Sequence, residues 1–76
     1  MYKENFGKRL RIARIDAGYT QHQVASILNI PQSSISKYEK GTLEPKLEYL
    51  GTLAQFYNVS INWLLGVSIE PTIKGA

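Results

Sequence analysis

The chain has 76 residues and a net charge of +3, with nine Lys and Arg against six Asp and Glu, no cysteine and a single histidine. That length suits one domain near the lower limit for a self-sufficient core, and the composition excludes disulfides, thiolate metal sites and, with His22 alone, a histidine metal cluster within one chain. No apolar run approaches the roughly 20 residues of a membrane span, MYKENFGKRL is too polar for a secretory signal, and the acids form no paired-carboxylate motif, so the chain reads as cytoplasmic, non-enzymatic, without cofactor and without a membrane partner.

Phe6, Leu10, Ala13 and Ala17 recur at i, i+4, i+7 and i+11, one face of a first helix. Lys3, Lys8, Arg9, Arg11 and Arg14 crowd that helix, and Lys37, Lys40 and Lys46 cluster later, a localised basic surface that suits a polyanion. Gly18 supplies a left-handed C-terminal cap. Thr20 then N-caps a second helix over about 21–28, with Val24, Ala25 and Leu28 inward. Asn29 follows, a residue that tolerates a positive φ.

Pro31 favours the first turn of a third helix, which runs to about residue 40 and is closed by Gly41. Glu44-Pro45 marks an extended connection. A fourth helix spans about 47–57 with Leu47, Leu50, Leu53, Ala54 and Tyr57 inward. Gly51 within it costs roughly 1 kcal/mol relative to Ala, which implies another element packed close by. Asn58 repeats the role of Asn29, Ser60 caps a short fifth helix over 61–65, and Gly66 ends it. The expected architecture is all-α, one compact bundle over residues 1–66. Residues 67–76, VSIEPTIKGA, lack a helical period and read as a flexible tail, an extended contact to a dimer or partner, or the start of a linker.

The second and third helices are joined by a turn of three or four residues, a helix-turn-helix candidate. Ala25 is small where the two would cross, Asn29 stands at the turn, Ile30 and Ile35 hold the second of the pair against the first, and Tyr38 closes the packed face. TQHQVASILNIPQSSISKYEKGTLEP followed by LAQFYNVSINWLLG resembles the lambda repressor and Cro-like helix-turn-helix family, also called the xenobiotic-response-element family. The resemblance covers roughly residues 5–66 and is strongest at Thr20-Gln21, Ala25, Ile35-Ser36, Tyr38-Glu39-Lys40-Gly41, Pro45 and the closing VSINWLLG. It implies a five-helix DNA-binding bundle whose third helix enters the major groove.

On that helix Gln32, Ser33, Ser36, Lys37 and Lys40 share one face, opposite Ile35 and Tyr38. Gln32 can bond adenine bidentately and Lys37 can donate to guanine, while Ser33 and Ser36 are short enough to approach bases or phosphates. The resemblance further implies that Gln21 contacts a phosphate from the start of its helix, and with glutamine at both positions it is expected to buttress Gln32. Lys40, Thr42 and Lys46 are expected phosphate contacts, which position without reading sequence. An Arg14–Glu39 ion pair, again implied by the resemblance, would lock the third helix to the first. Trp63 reads as a core aromatic sealing the fifth helix. Ile12, Ile15 and Ile27 stand where related sequences carry polar residues. They are expected to be covered by Val67, Ile69 and Ile73 folding back, or by a partner subunit.

Together these features predict a sequence-specific transcriptional regulator, a repressor of phage or mobile-element type, binding a palindromic operator in double-stranded DNA as a homodimer, at least on DNA. Dimerisation would use the fifth helix and tail. The alternative on the same fold is an antitoxin or restriction-modification controller whose tail binds a partner protein.

Overall fold

The computed structural model describes residues 3–67 and 69. Among them lie five helices and no strand: α1 (Lys3–Ala17), α2 (Gln21–Leu28), α3 (Gln32–Lys40), α4 (Leu47–Tyr57) and α5 (Ile61–Leu64). α1 is the hub, packing on α3, α4 and α5, while α3 also packs on α2 and α4 on α5. Phe6, Leu10, Val24, Ile35, Leu53 and Leu64 are the largest fully buried side chains, drawn from all five helices. None of these helices is long enough to be stable alone, so burial of these shared faces carries the fold.

Local chemistry sets the boundaries. Thr20 forms a capping box with Gln23: the Gln23 amide donates to Thr20 Oγ1 at 3.1 Å, and the Thr20 amide donates to Gln23 Oε1 at 2.8 Å. Ser60 Oγ accepts from the Trp63 amide at 2.9 Å. At the turns, Asn29 and Asn58 adopt φ of 56° and 57°, the left-handed conformation that their short polar side chains tolerate. After α3, the Thr42 amide reaches back to the Lys37 carbonyl at 3.0 Å and the Gly41 amide to that of Tyr38 at 3.2 Å, the paired closure of a Schellman motif.

Three expectations from spacing fail. Ala17 is exposed and lies outside the apolar core, while the last turn of α1 is held by Arg14, which bonds Glu39 and the Tyr19 carbonyl. Leu47 is 81% exposed; as the first residue of α4 its side chain leans back toward the preceding loop and away from the bundle. Gly51 has no atom within 4 Å of an added Cβ and instead lines an open groove of about 450 Å³ with Ala54, Gln55, Val59, Ser60, Ile61 and Asn62.

The close approach is made at Gly7, where an added Cβ would stand 2.6 Å from the Glu39 carbonyl oxygen and 2.7 Å from that of Tyr38. The missing side chain lets the backbone of α1 lie directly on the C-terminal end of α3.

Ile12, Ile15 and Ile27 are exposed, as their helical phase requires. Among the described residues the expected tail cover is not there. Val67 is 73% and Ile69 91% exposed, while Ile73 lies outside the described residues. The Val67 amide continues the α5 closure by donating to the Asn62 carbonyl at 2.9 Å. Trp63 packs against the core, with the Arg9 guanidinium 5.1 Å from its ring centroid and Arg9 Nη1 donating to its carbonyl.

Candidate nucleic-acid interface

α3 is held from behind and open in front. Ile35 and Tyr38 are buried, while Gln32, Ser33, Lys37 and Lys40 are exposed and Ser36 is half-buried. The exposed face therefore carries one carboxamide, two hydroxyls and two cations, with no large apolar side chain. Lys37 and Lys40 fall in the last turn, where they complement the negative end of the helix dipole.

What fixes this helix is a charged network at its C-terminal end. Arg14 Nε donates to Glu39 Oε2 at 2.7 Å and Arg14 Nη2 to Glu39 Oε1 at 3.1 Å, a bidentate pair. Arg14 Nη1 donates to the Tyr19 carbonyl at 2.8 Å, and Gln21 Nε2 donates to Glu39 Oε1 at 3.0 Å. The Glu39 side chain is only 4% exposed. One carboxylate thus ties α3 to α1 and to the first residue of α2, so the angle between α2 and α3 is set at both ends. The bond to Glu39 raises the pKa of Arg14, opposed by its desolvation.

Burial raises the Tyr57 phenol well above its ordinary range, helped by the Glu39 charge and opposed by that of Arg14. Burial likewise raises Tyr38, opposed by a hydrogen bond with Ser34. A phenol whose pKa is higher folded than unfolded contributes stability that is complete below the unfolded value, about 10, and is lost as pH rises through the folded value. Thermal stability is therefore expected to fall above about pH 10. Of the five tyrosines, Tyr57 should ionise only as the fold is lost, followed by tyrosinate absorbance, and Tyr38 should titrate above the ordinary phenol range. Titration of every phenol near pH 10 with the fold intact would contradict this.

The remaining candidates sit at the margins of α3. Lys40 and Lys46 are exposed on either side of the loop between α3 and α4. Thr42 is exposed, but its hydroxyl donates to the Lys37 carbonyl at 3.3 Å and its amide to the same oxygen. In this conformation it serves the helix closure and has no donor left for a phosphate. Gln21, expected beside Gln32, turns to Glu39 instead. The residue facing Gln32 is His22, whose Nδ1 lies 3.3 Å from Gln32 Oε1. His22 is exposed, and the sequence offered no reason to place it beside Gln32. Its place one residue into α2 comes over the start of α3 only through the tight turn.

A family model described as Helix-turn-helix (HTH_3) matches residues 10–64, which is α1 from Leu10 through α5. The chain belongs to this helix-turn-helix family. Among relatives, the HTH-type transcriptional regulator ImmR of Bacillus subtilis is 45% identical over 82% of this chain and 49% of its own length. A regulator of the same organism derived from the SPbeta prophage, YonR, is 40% identical over 79% of this chain and 56% of its own. The cryptic phage CTXphi transcriptional repressor RstR of Vibrio cholerae is 36% identical over 83% and 57%. This helix-turn-helix chain spans about half the length of these relatives, and the residues matched by the family model include both helices of the pair together with Arg14 and Glu39.

Proposed function

We propose that this helix-turn-helix chain is the DNA-binding unit of a cytoplasmic transcriptional regulator of phage or mobile-element type, acting as a repressor, with α3 entering the major groove. The observation that carries the reading is the division of α3 into a buried back, pinned by Glu39, and an exposed front of Gln32, Ser33 and Lys37 with Ser36 beside them. A helix that presents short and flexible donors on a rigid mount suits base reading. The names of the relatives support the regulatory role. In this reading Gln32, Ser33, Ser36 and Lys37 contact base edges, while Lys40 and Lys46 contact phosphates. The first-turn amides of α2 add a phosphate contact at the positive end of that helix, joined by the second Nε2 proton of Gln21, whose first stays on Glu39. Arg14 and Glu39 act indirectly, by holding α3. Two copies bind a palindrome with half-sites about one helical turn apart.

Selection of bound sequences from random duplex DNA tests this, and a palindrome of that spacing is the expected result. Gln32→Ala should cost about 1–3 kcal/mol and relax preference at one base pair of each half-site. Lys40→Ala or Lys46→Ala should instead weaken binding uniformly across sequences and lower the salt slope by about one per site. Recovery of no motif, or duplex binding indifferent to salt, would overturn the reading.

A further inference from the structure

The geometry points to His22 as the residue that orients the Gln32 carboxamide, and hence as a positioning residue for the base that Gln32 reads; the inference rests on the DNA-binding reading above. Three polar residues open α2, and two are committed elsewhere. Gln21 donates to Glu39, and Gln23 closes the capping box on Thr20. His22 faces α3, with Nδ1 3.3 Å from Gln32 Oε1. The backbone holds the two side chains in register: Asn29 takes the left-handed conformation at the turn, and the Ile30 amide donates to the Ala25 carbonyl at 3.1 Å.

A glutamine is two-ended. Rotation about its last side-chain torsion exchanges a carbonyl oxygen for an amino group at nearly the same place, with little torsional preference. Adenine offers a donor at N6 and an acceptor at N7, so it requires one end of the amide at each. Guanine offers two acceptors, so a freely rotating glutamine can still satisfy part of that edge. A proton on His22 Nδ1 donated to Oε1 uses one of that oxygen's two lone pairs. The other remains for an adenine N6–H, and Nε2 is left to donate to N7. The oxygen is held on the α2 side before DNA arrives, and the choice between adenine and guanine is made by the orientation of the amide. Both neutral imidazole protonated at Nδ1 and imidazolium can give this bond.

The test measures binding of this chain to its selected duplex and to a set carrying each base pair at the position that Gln32→Ala relaxes. His22→Phe keeps a ring but loses the donor. It should lower the preference at that position about fivefold, the factor equivalent to one hydrogen bond of about 1 kcal/mol. The salt slope and unfolding midpoint should stay at wild-type values, and the loss should not add to that of Gln32→Ala in the double variant. His22→Asn sets a carboxamide nitrogen close to where Nδ1 stands and should restore the preference. Full preference in His22→Phe, with the preference lost in Gln32→Ala, would overturn the inference and leave the DNA reading intact. A reduced salt slope in His22→Phe would also overturn it, because His22 would then be a phosphate contact. If Gln32→Ala relaxes no position, the base-reading assignment fails and the inference falls with it.

Discussion

Arg14→Ala should unfold this domain well before it alters any DNA contact. The guanidinium makes three hydrogen bonds, two to Glu39 and one to the Tyr19 carbonyl. Its removal leaves the Glu39 carboxylate buried with only Gln21 as a partner, Oε2 without a donor, and the turn between α1 and α2 without its brace. Breaking one side of a buried pair costs roughly 3–5 kcal/mol, against a total stability of about 5–15 kcal/mol for domains of ordinary size. For a domain this small each kcal/mol moves the unfolding midpoint by about 4–8 °C, so a fall of at least about 12 °C is expected by circular dichroism. Replacing both partners, Arg14→Met with Glu39→Leu, removes the charge that would be stranded and should recover much of the loss. Wild-type thermal stability combined with lost DNA binding would show that Arg14 touches DNA and does not serve as a structural tie.

Gly7→Ala and Gly51→Ala should have opposite signs, although both glycines lie inside helices. At position 7 the new methyl would stand 2.6 Å from the Glu39 carbonyl oxygen, 2.7 Å from that of Tyr38 and 3.0 Å from the Glu39 carbonyl carbon. These are backbone atoms and cannot swing aside, so α1 must move off the end of α3. Overpacking of this kind costs about 1–3 kcal/mol, and here the displaced residue also carries the ion pair, so a fall of roughly 10 °C or more in midpoint is expected. At position 51 nothing lies within 4 Å, and alanine should stabilise α4 by up to about 1 kcal/mol through helix propensity. Equal shifts at the two sites, measured by thermal unfolding, would contradict the close α1–α3 contact.

These two glycines mark a place where reading the chain by itself fails: the close approach expected at Gly51 is made at Gly7. Caps and turns were legible because their chemistry is local. Thr20 with Gln23, Ser60, Asn29, Gly41 and Asn58 each satisfy backbone groups within a few residues, and the structure ends its helices at them. The helix phases were legible where a face is buried along its length, as for Phe6, Leu10 and Ala13 or Leu50, Leu53 and Tyr57. Spacing failed at helix ends, at Ala17 and Leu47, because periodicity says which way a side chain points and not whether anything stands there.

The candidate site divides in the same way. Which residues share the outer face of α3 follows from helical spacing, and the exposed Gln32, Ser33 and Lys37 lie where that spacing puts them. How the amides at its edge are committed does not. Gln21 and His22 are neighbours in the chain, yet one turns inward to Glu39 and the other faces Gln32, and both partners come from a different helix.

The sequence alone therefore determined the helices, their order, their family and the polar character of α3, because those depend on composition and spacing within a few turns. The tertiary structure decided which glycine admits a neighbouring helix, which glutamine serves the fold and which residue stands over the reading end of α3. Those are questions of distance between segments far apart in the chain, and only packing sets that distance.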